Sequence, residues 1–165
     1  NLFEAARHVG SVVREVRQRD AAALQEFGIE FNASIIFGGQ IGEEDPRLFN
    51  IYAAGNFIEA SEDTPYFQIG ESKYGKPIID RVVNRRTTFE EAAKCALISM
   101  DSTIRSNLSV GMPLDLLIYE RDALRVRDHV SIGSQNAYFN TIRTLWGERL
   151  RQAFTELPDP DWGNF

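Results

Sequence analysis

The chain has 165 residues, a hydrophobic share of 43% and a formal net charge of −6. That length and apolar content fit one globular domain, and so acidic a chain carries no basic footprint for nucleic acid or an anionic membrane surface. The lone Cys95 excludes an intrachain disulfide and suits a reducing, cytoplasmic setting, and no apolar run approaches membrane-spanning length.

The chain opens on Asn1, already at the start of a helix, so it is expected to be a piece of something longer, one domain incomplete at its N-terminus. Leu2, Ala6, Val9, Val13 and Val16 recur at alternating four- and three-residue steps, which predicts an amphipathic helix. Asn1 is its expected N-cap, Glu4 the reciprocal partner of a capping box, and Gly28 the C-terminal stop. His8 lies beside the stripe and reads as a surface residue.

Two strands follow, Ala33–Phe37 and Leu48–Ala53, rich in β-branched and aromatic residues. The link Gln40–Pro46, with Glu43, Glu44 and Asp45, reads as a solvated hairpin tip; its spacing lacks the alternating ligands of a calcium loop. Gly55-Asn56 then turns the chain into a short strand, Phe57–Ala60. Tyr66–Ile69 reads as a fourth strand, stopping at Gly70. A glycine-punctuated turn holding Ser72 leads to a helix that starts near Lys76, with Pro77 in its first turn, and reaches Val83. Strand, glycine turn and helix start together present backbone N–H groups and a small hydroxyl at one spot, as many sites do.

After the polar knot Asn84–Thr87, Thr88 and Glu91 form a capping-box pattern that opens another helix. Phe89, Ala93, Ala96, Leu97, Met100 and Ile104 form its apolar face. Cys95 sits one position off that stripe and reads as packing, and Asp101 reads as solvated. Ser106–Gly111 is a second turn of small polar residues. Pro113–Tyr119 and Ala123–Arg127 read as strands, with His129 in a following surface loop. A last helix is expected from Ser134, with Tyr138, Ile142, Leu145, Trp146, Arg149 and Phe154 on its buried or interface side. Phe139, Trp146 and Phe154 leave apolar surface for subunit contacts.

The order is thus α, β, β, β, β, α, α, β, β, α, with hairpin-joined and therefore antiparallel strands covered by helices, an α+β architecture. Ile35-Ile36-Phe37 is apolar on both faces, so its sheet is expected to be covered by helices on one side and a second sheet on the other. The strands are too few for two complete sheets, and the missing ones are expected upstream of Asn1.

Several long runs resemble the Anbu family of bacterial proteasome-type peptidases, ancestral relatives of proteasome beta subunits. They are Phe31-Asn-Ala-Ser-Ile-Ile-Phe-Gly-Gly-Gln40, Pro46-Arg-Leu-Phe49, Ala54-Gly-Asn-Phe-Ile-Glu-Ala60, Thr64-Pro-Tyr-Phe-Gln-Ile-Gly-Glu-Ser-Lys-Tyr-Gly-Lys-Pro77 and Arg105-Ser-Asn-Leu-Ser-Val-Gly-Met-Pro113. The resemblance covers essentially the whole chain. It implies the four-layer αββα sandwich of N-terminal-nucleophile hydrolases, here lacking its N-terminal strands and first helix. It further implies a hydrolase acting on peptide or unfolded protein, and identical subunits joined in rings or open spirals.

In that family the nucleophile is an N-terminal threonine, supported by an aspartate and a lysine, all of which would precede Asn1; the chain alone is therefore expected to be inactive. Thr64, Thr87 and Thr88 do not replace it. The turns that close on the threonine amine correspond to Gly70-Glu71-Ser72 and to Ser106-Asn107-Leu108-Ser109, so the resemblance implies supporting roles for Ser72, Ser106, Asn107 and Ser109. An Asn or Ser stands where an aspartate is usual. A terminal amine acting as general base needs acceptors that orient it while leaving it mostly neutral, which Ser and Asn side chains supply. No cofactor, metal, nucleic-acid or membrane partner is expected. The other readings are a non-catalytic self-assembling subunit and a binding domain without chemistry; the latter lacks a glycine-rich phosphate loop and metal-spaced Cys/His residues.

Overall fold

The structure is a computed structural model that describes residues 1–164. The Asn1 side chain accepts a hydrogen bond from the Glu4 N–H at 2.9 Å and starts α1 (Leu2–Glu26). The Glu4 carboxylate pairs with Arg7 instead of completing the box. At the far end Gly28 takes a left-handed φ of +70°. The Ile29 N–H then donates to the Leu24 carbonyl (3.0 Å) and the Gly28 N–H to that of Gln25 (2.9 Å), the bond pair of a Schellman motif.

The strands β1 (Ile35–Gly39), β2 (Arg47–Ile51) and β3 (Phe57–Glu59) form an antiparallel meander. Period-two alternation turns Phe49 and Ile51 toward α1, where they join Leu2 and Ala6 in one core, flanked by Val9, Ile35, Phe37 and Phe57. The helix lies very close to the β2–β3 turn. A Cβ at Gly10 would fall 2.2 Å from the Gly55 carbonyl oxygen, which also accepts from Arg14 Nη1 at 2.8 Å. Gly55 itself is left-handed (φ +74°), so both glycines are sterically required.

A second core belongs to the other half of the chain. The short α2 (Lys76–Val82) packs on α3 (Phe89–Ser106), and α3 packs on α4 (Ala137–Glu156). The hairpin of β4 (Leu114–Tyr119) and β5 (Val126–Ile132) lies against these helices. Leu97, Leu114, Ile132 and Phe139 are its buried centre, with Met100, Ile104, Leu116 and Ile142 around them. The molecule is therefore mixed α+β, with each sheet carrying helices on one face.

The two bare sheet faces look at each other. Gly38, Leu48 and Ala60 on one side and Leu117, Tyr119 and Val126 on the other line a cleft of about 730 Å³. One residue clasps its end: Gln40 donates from Nε2 to Asp122 Oδ1 (2.7 Å), and its Oε1 accepts from the Asp122 N–H (2.8 Å) and the Tyr119 hydroxyl (3.0 Å). Arg121 pairs with Asp45 alongside. The Gln40–Pro46 tip is thus docked on the second hairpin, although Glu43 and Glu44 remain exposed. The expected burial of both faces is half met, since Ile36 stays 38% and Leu117 57% exposed.

Several local expectations are corrected. Tyr66–Ile69 is not in a strand: no backbone–backbone hydrogen bond pairs these residues with another segment among the described residues. Residues 123–125 turn instead of pairing, with Asp122 and Leu124 at positive φ (63° and 47°), and β5 runs on to include His129 opposite Leu117. The last helix begins at Ala137, because the Asn136 side chain caps it by accepting from the Phe139 N–H at 2.8 Å. Phe139 is core and not spare surface, whereas Phe154 is 77% exposed.

Candidate functional site

Gly70, at φ +74°, ends the extended stretch, and the chain folds back so that the Ser72 N–H donates to the Gly70 carbonyl at 2.9 Å. The Ser72 carbonyl then accepts from the Lys76 N–H at 2.9 Å, and α2 begins. The turn is locked by backbone bonds on both sides of Ser72, which is half-buried and lines a cleft of about 390 Å³ with Asn50, Gln68, Lys76 and Asp80. The Asn50 Oδ1 and Gln68 Oε1 atoms are buried with no hydrogen-bond partner among the described residues.

The cation in this cleft is tied down. Lys76 Nζ donates to Asp80 Oδ1 at 2.7 Å and to the Tyr66 hydroxyl at 2.9 Å, and that hydroxyl donates to Asp80. The bond to Asp80 is the main force raising the Lys76 ammonium above its ordinary range, and the bond from Lys76 is the main force holding the Asp80 carboxyl below its own. Burial, then the bond to Asp80, pushes the Tyr66 phenol up. Lys76 is therefore a fixed charge and not a general base.

The second turn follows α3. Ser106 is the helix's exposed last residue, and the Asn107 N–H donates to the Thr103 carbonyl at 2.9 Å. The Asn107 Oδ1 accepts from both the Ser109 N–H (2.8 Å) and the Ser109 hydroxyl (2.7 Å). Because the hydroxyl gives its proton to Asn107, the Ser109 oxygen presents lone pairs outward, as an acceptor. The structure thus brings Asn107 and Ser109 together. No hydrogen bond joins Ser72 to Ser106, Asn107 or Ser109 among the described residues. What relates the two turns is the α2–α3 contact, where buried Gly75 meets Ser99, itself 2% exposed.

The hydroxyls of Thr87 and Thr88 and the Cys95 thiol have structural places. The Thr87 Oγ1 accepts from the Asn84 N–H (2.8 Å), and Thr88 caps α3 in the full box with Glu91. Cys95 is 3% exposed, and burial pushes its thiol up, away from the thiolate form. No cluster of three or more His, Cys, Asp or Glu able to hold a metal is present among the described residues, and no helix among them is long and apolar enough to cross a membrane.

Sequence reasoning missed one group near the second turn. Asp101, expected to be solvated, is 2% exposed. Arg105 Nε donates to its Oδ2 at 3.0 Å, and Arg143 Nε of α4 lies 3.0 Å from Oδ1 without hydrogen-bond alignment. The only local signal was the four-residue Asp101–Arg105 spacing; the decisive partner, Arg143, is far away in sequence.

Solved structures resemble this chain throughout its length. Anbu (ancestral beta-subunit) from Yersinia bercovieri matches at 53% identity and a TM-score of 0.87, over 98% of this chain and 66% of its own. Anbu from Hyphomicrobium sp. strain MC1 matches at 52% identity and 0.87, over 98% and 65%. A structure of the helical assembly of the Anbu complex from Pseudomonas aeruginosa matches at 46% identity and 0.90, over 98% and 67%. The chain belongs to the Anbu family. It spans about two-thirds of the length of these Anbu chains, and its mixed α+β fold is that of the matched part. No protein-family model and no curated protein matches it. Ser72 and Ser109 thus stand, in an Anbu chain, on turns whose backbone is fixed independently of any ligand.

Proposed function

We propose that this chain is the later portion of a proteasome-type threonine peptidase subunit. The observation that carries this reading is the Asn107–Ser109 pair in a chain belonging to the Anbu family: an outward-facing hydroxyl oxygen polarised to accept, on a turn anchored to α3. The third of the Anbu chains' length that these residues do not match would supply the nucleophile. It would also supply the strands and first helix that complete an αββα sandwich around the 730 Å³ cleft. The subunit would be cytoplasmic and would join identical copies, as in the helical assembly from Pseudomonas aeruginosa.

In the reaction, the threonine hydroxyl attacks a peptide carbonyl while the terminal amine takes its proton. The C–N bond then breaks as that proton passes to the leaving amine, and water hydrolyses the acyl-enzyme ester. The amine must hold its lone pair toward the hydroxyl, so its N–H groups need acceptors elsewhere. Ser109 Oγ, backed by Asn107, is such an acceptor, and Ser72 and Ser106 orient the amine and the attacking water. None of them becomes covalently attached.

The test uses the complete subunit with Ser109→Ala and Ser72→Ala, measuring acylation by an electrophilic peptide probe. Loss of one positioning hydrogen bond costs about 1–3 kcal/mol in the transition state, or roughly ten- to a hundred-fold in rate. Acylation of both variants at the parent rate would refute the site assignment. A parent that never acylates leaves the non-catalytic, self-assembling subunit as the function.

A further inference from the structure

Both α2 and α4 pack on α3, but they leave a gap beside it. Between α2, the Asn84–Thr87 turn, α3 and α4 lies a cavity of about 470 Å³, within the size range of small-molecule sites. One side of it is apolar: Ile78 and Val82 from α2, Ile98 from α3 and Trp146 from α4, with the buried Cys95 among the lining residues. None of these residues belongs to the Gly70–Ser72 turn or the Ser106–Ser109 turn.

The polar lining of this cavity is unusual for an acidic chain. Arg86 and Lys94 both line it, both are exposed, and neither forms a salt bridge among the described residues, whereas the adjacent Arg85 is paired with Glu62. The one carboxylate at the cavity, Glu91, is already committed: its Oε2 accepts from the Thr88 N–H at 3.1 Å and the Thr88 hydroxyl at 3.2 Å. Thr87 is likewise occupied by Asn84. Two cations against one bonded carboxylate leave a local positive charge on a molecule of net charge −6. A cavity with an apolar wall and two exposed cations outnumbering its one carboxylate is complementary to a ligand that has an apolar body and one anionic head.

We infer that the cavity between α2, α3 and α4 is a binding site for a small amphipathic anion, a carboxylate on a short acyl or aromatic body. The body packs against Ile98 and Trp146, and the carboxylate pairs with Arg86 and Lys94. Decanoate, kept below its micelle concentration, is the probe, and 1-decanol is the uncharged control of equal chain length. The full-length protein carries Trp162→Phe, so that within these 165 residues emission comes from Trp146 alone.

Decanoate is expected to shift the Trp146 emission saturably. It should bind at least ten-fold more tightly than decanol. Arg86→Gln with Lys94→Gln should erase that ten-fold preference while leaving decanol binding and the thermal midpoint unchanged; both residues are exposed, so the variant folds. Equal binding of decanoate and decanol would overturn the inference. So would decanoate binding that the double variant leaves unaltered, or a Trp146 signal that never saturates.

Discussion

The α2–α3 contact offers a test in which the sign of the effect decides. Gly75 precedes α2 at φ −101° and ψ −27°, a conformation open to alanine. In an empty environment Gly75→Ala would stabilise the protein by about 0.4–1 kcal/mol, because alanine has less freedom to lose on folding. Here the added Cβ would lie 2.0 Å from Ser99 Oγ, 2.8 Å from the Ser99 carbonyl oxygen and 3.1 Å from its Cβ. A Ser99 rotamer change relieves only the first of these contacts, so α2 must move off α3. Overpacking of this kind costs typically about 1–3 kcal/mol, which outweighs the entropic gain and leaves a net destabilisation of about 1–2 kcal/mol. Urea unfolding of the complete protein measures it, with Ser99→Gly and the double variant closing a mutant cycle. The double variant should recover part of the loss, because the backbone oxygen remains in the way. A Gly75→Ala protein more stable than the parent would show that the helices are not in contact there. The frame relating the two turns would then fall.

Two further outcomes follow from the ion pairs. Arg47 grips Glu59 across the strands with two bonds of 2.6 Å, and those bonds hold the Glu59 carboxyl below its ordinary range. That stabilisation is present above the unfolded-state value and is lost as pH falls through the depressed folded one. Glu59→Gln should therefore flatten the acid side of the stability profile below about pH 4.5, and parallel profiles for parent and variant would refute it. Asp101→Ala should destabilise by about 2 kcal/mol, the scale of hydrogen bonds to a charged group, and less than for a fully buried pair, because Arg105 and Arg143 regain water. An unchanged urea midpoint would contradict that.

The features legible in the sequence were those determined by a few neighbouring residues. Asn1 as a cap, Gly28 as a stop and the Thr88–Glu91 box depend on spacings of three to five residues, and each has the expected geometry. Tyr66–Ile69 failed because strand character needs a partner as well as apolar residues, and no neighbouring segment among the described residues pairs with it. The alternation through Leu124 and Val126 looked continuous, yet the φ of +47° at Leu124 places a turn within it. Asp101 was misplaced because helical periodicity tells which residues share a face but not which face meets α4. At the site, residue types suggested Ser72, Ser106, Asn107 and Ser109 through family resemblance. The donor–acceptor direction between Ser109 and Asn107 emerged only from the folded turn.

The clasp at Gln40 bears on how the chain folds in time. One core is built from residues between Leu2 and Phe57 and the other from residues between Leu97 and Ile142, so each can condense without the other. The bonds from Gln40 to Asp122 and Tyr119 span 82 and 79 residues and lose the most loop entropy on closure. They should therefore form last, after both halves, and open first. Native-state hydrogen exchange would read this as two cooperative units, with the Asp122 amide exchanging through a small local opening while amides of β2 and α3 wait for unfolding of their own half.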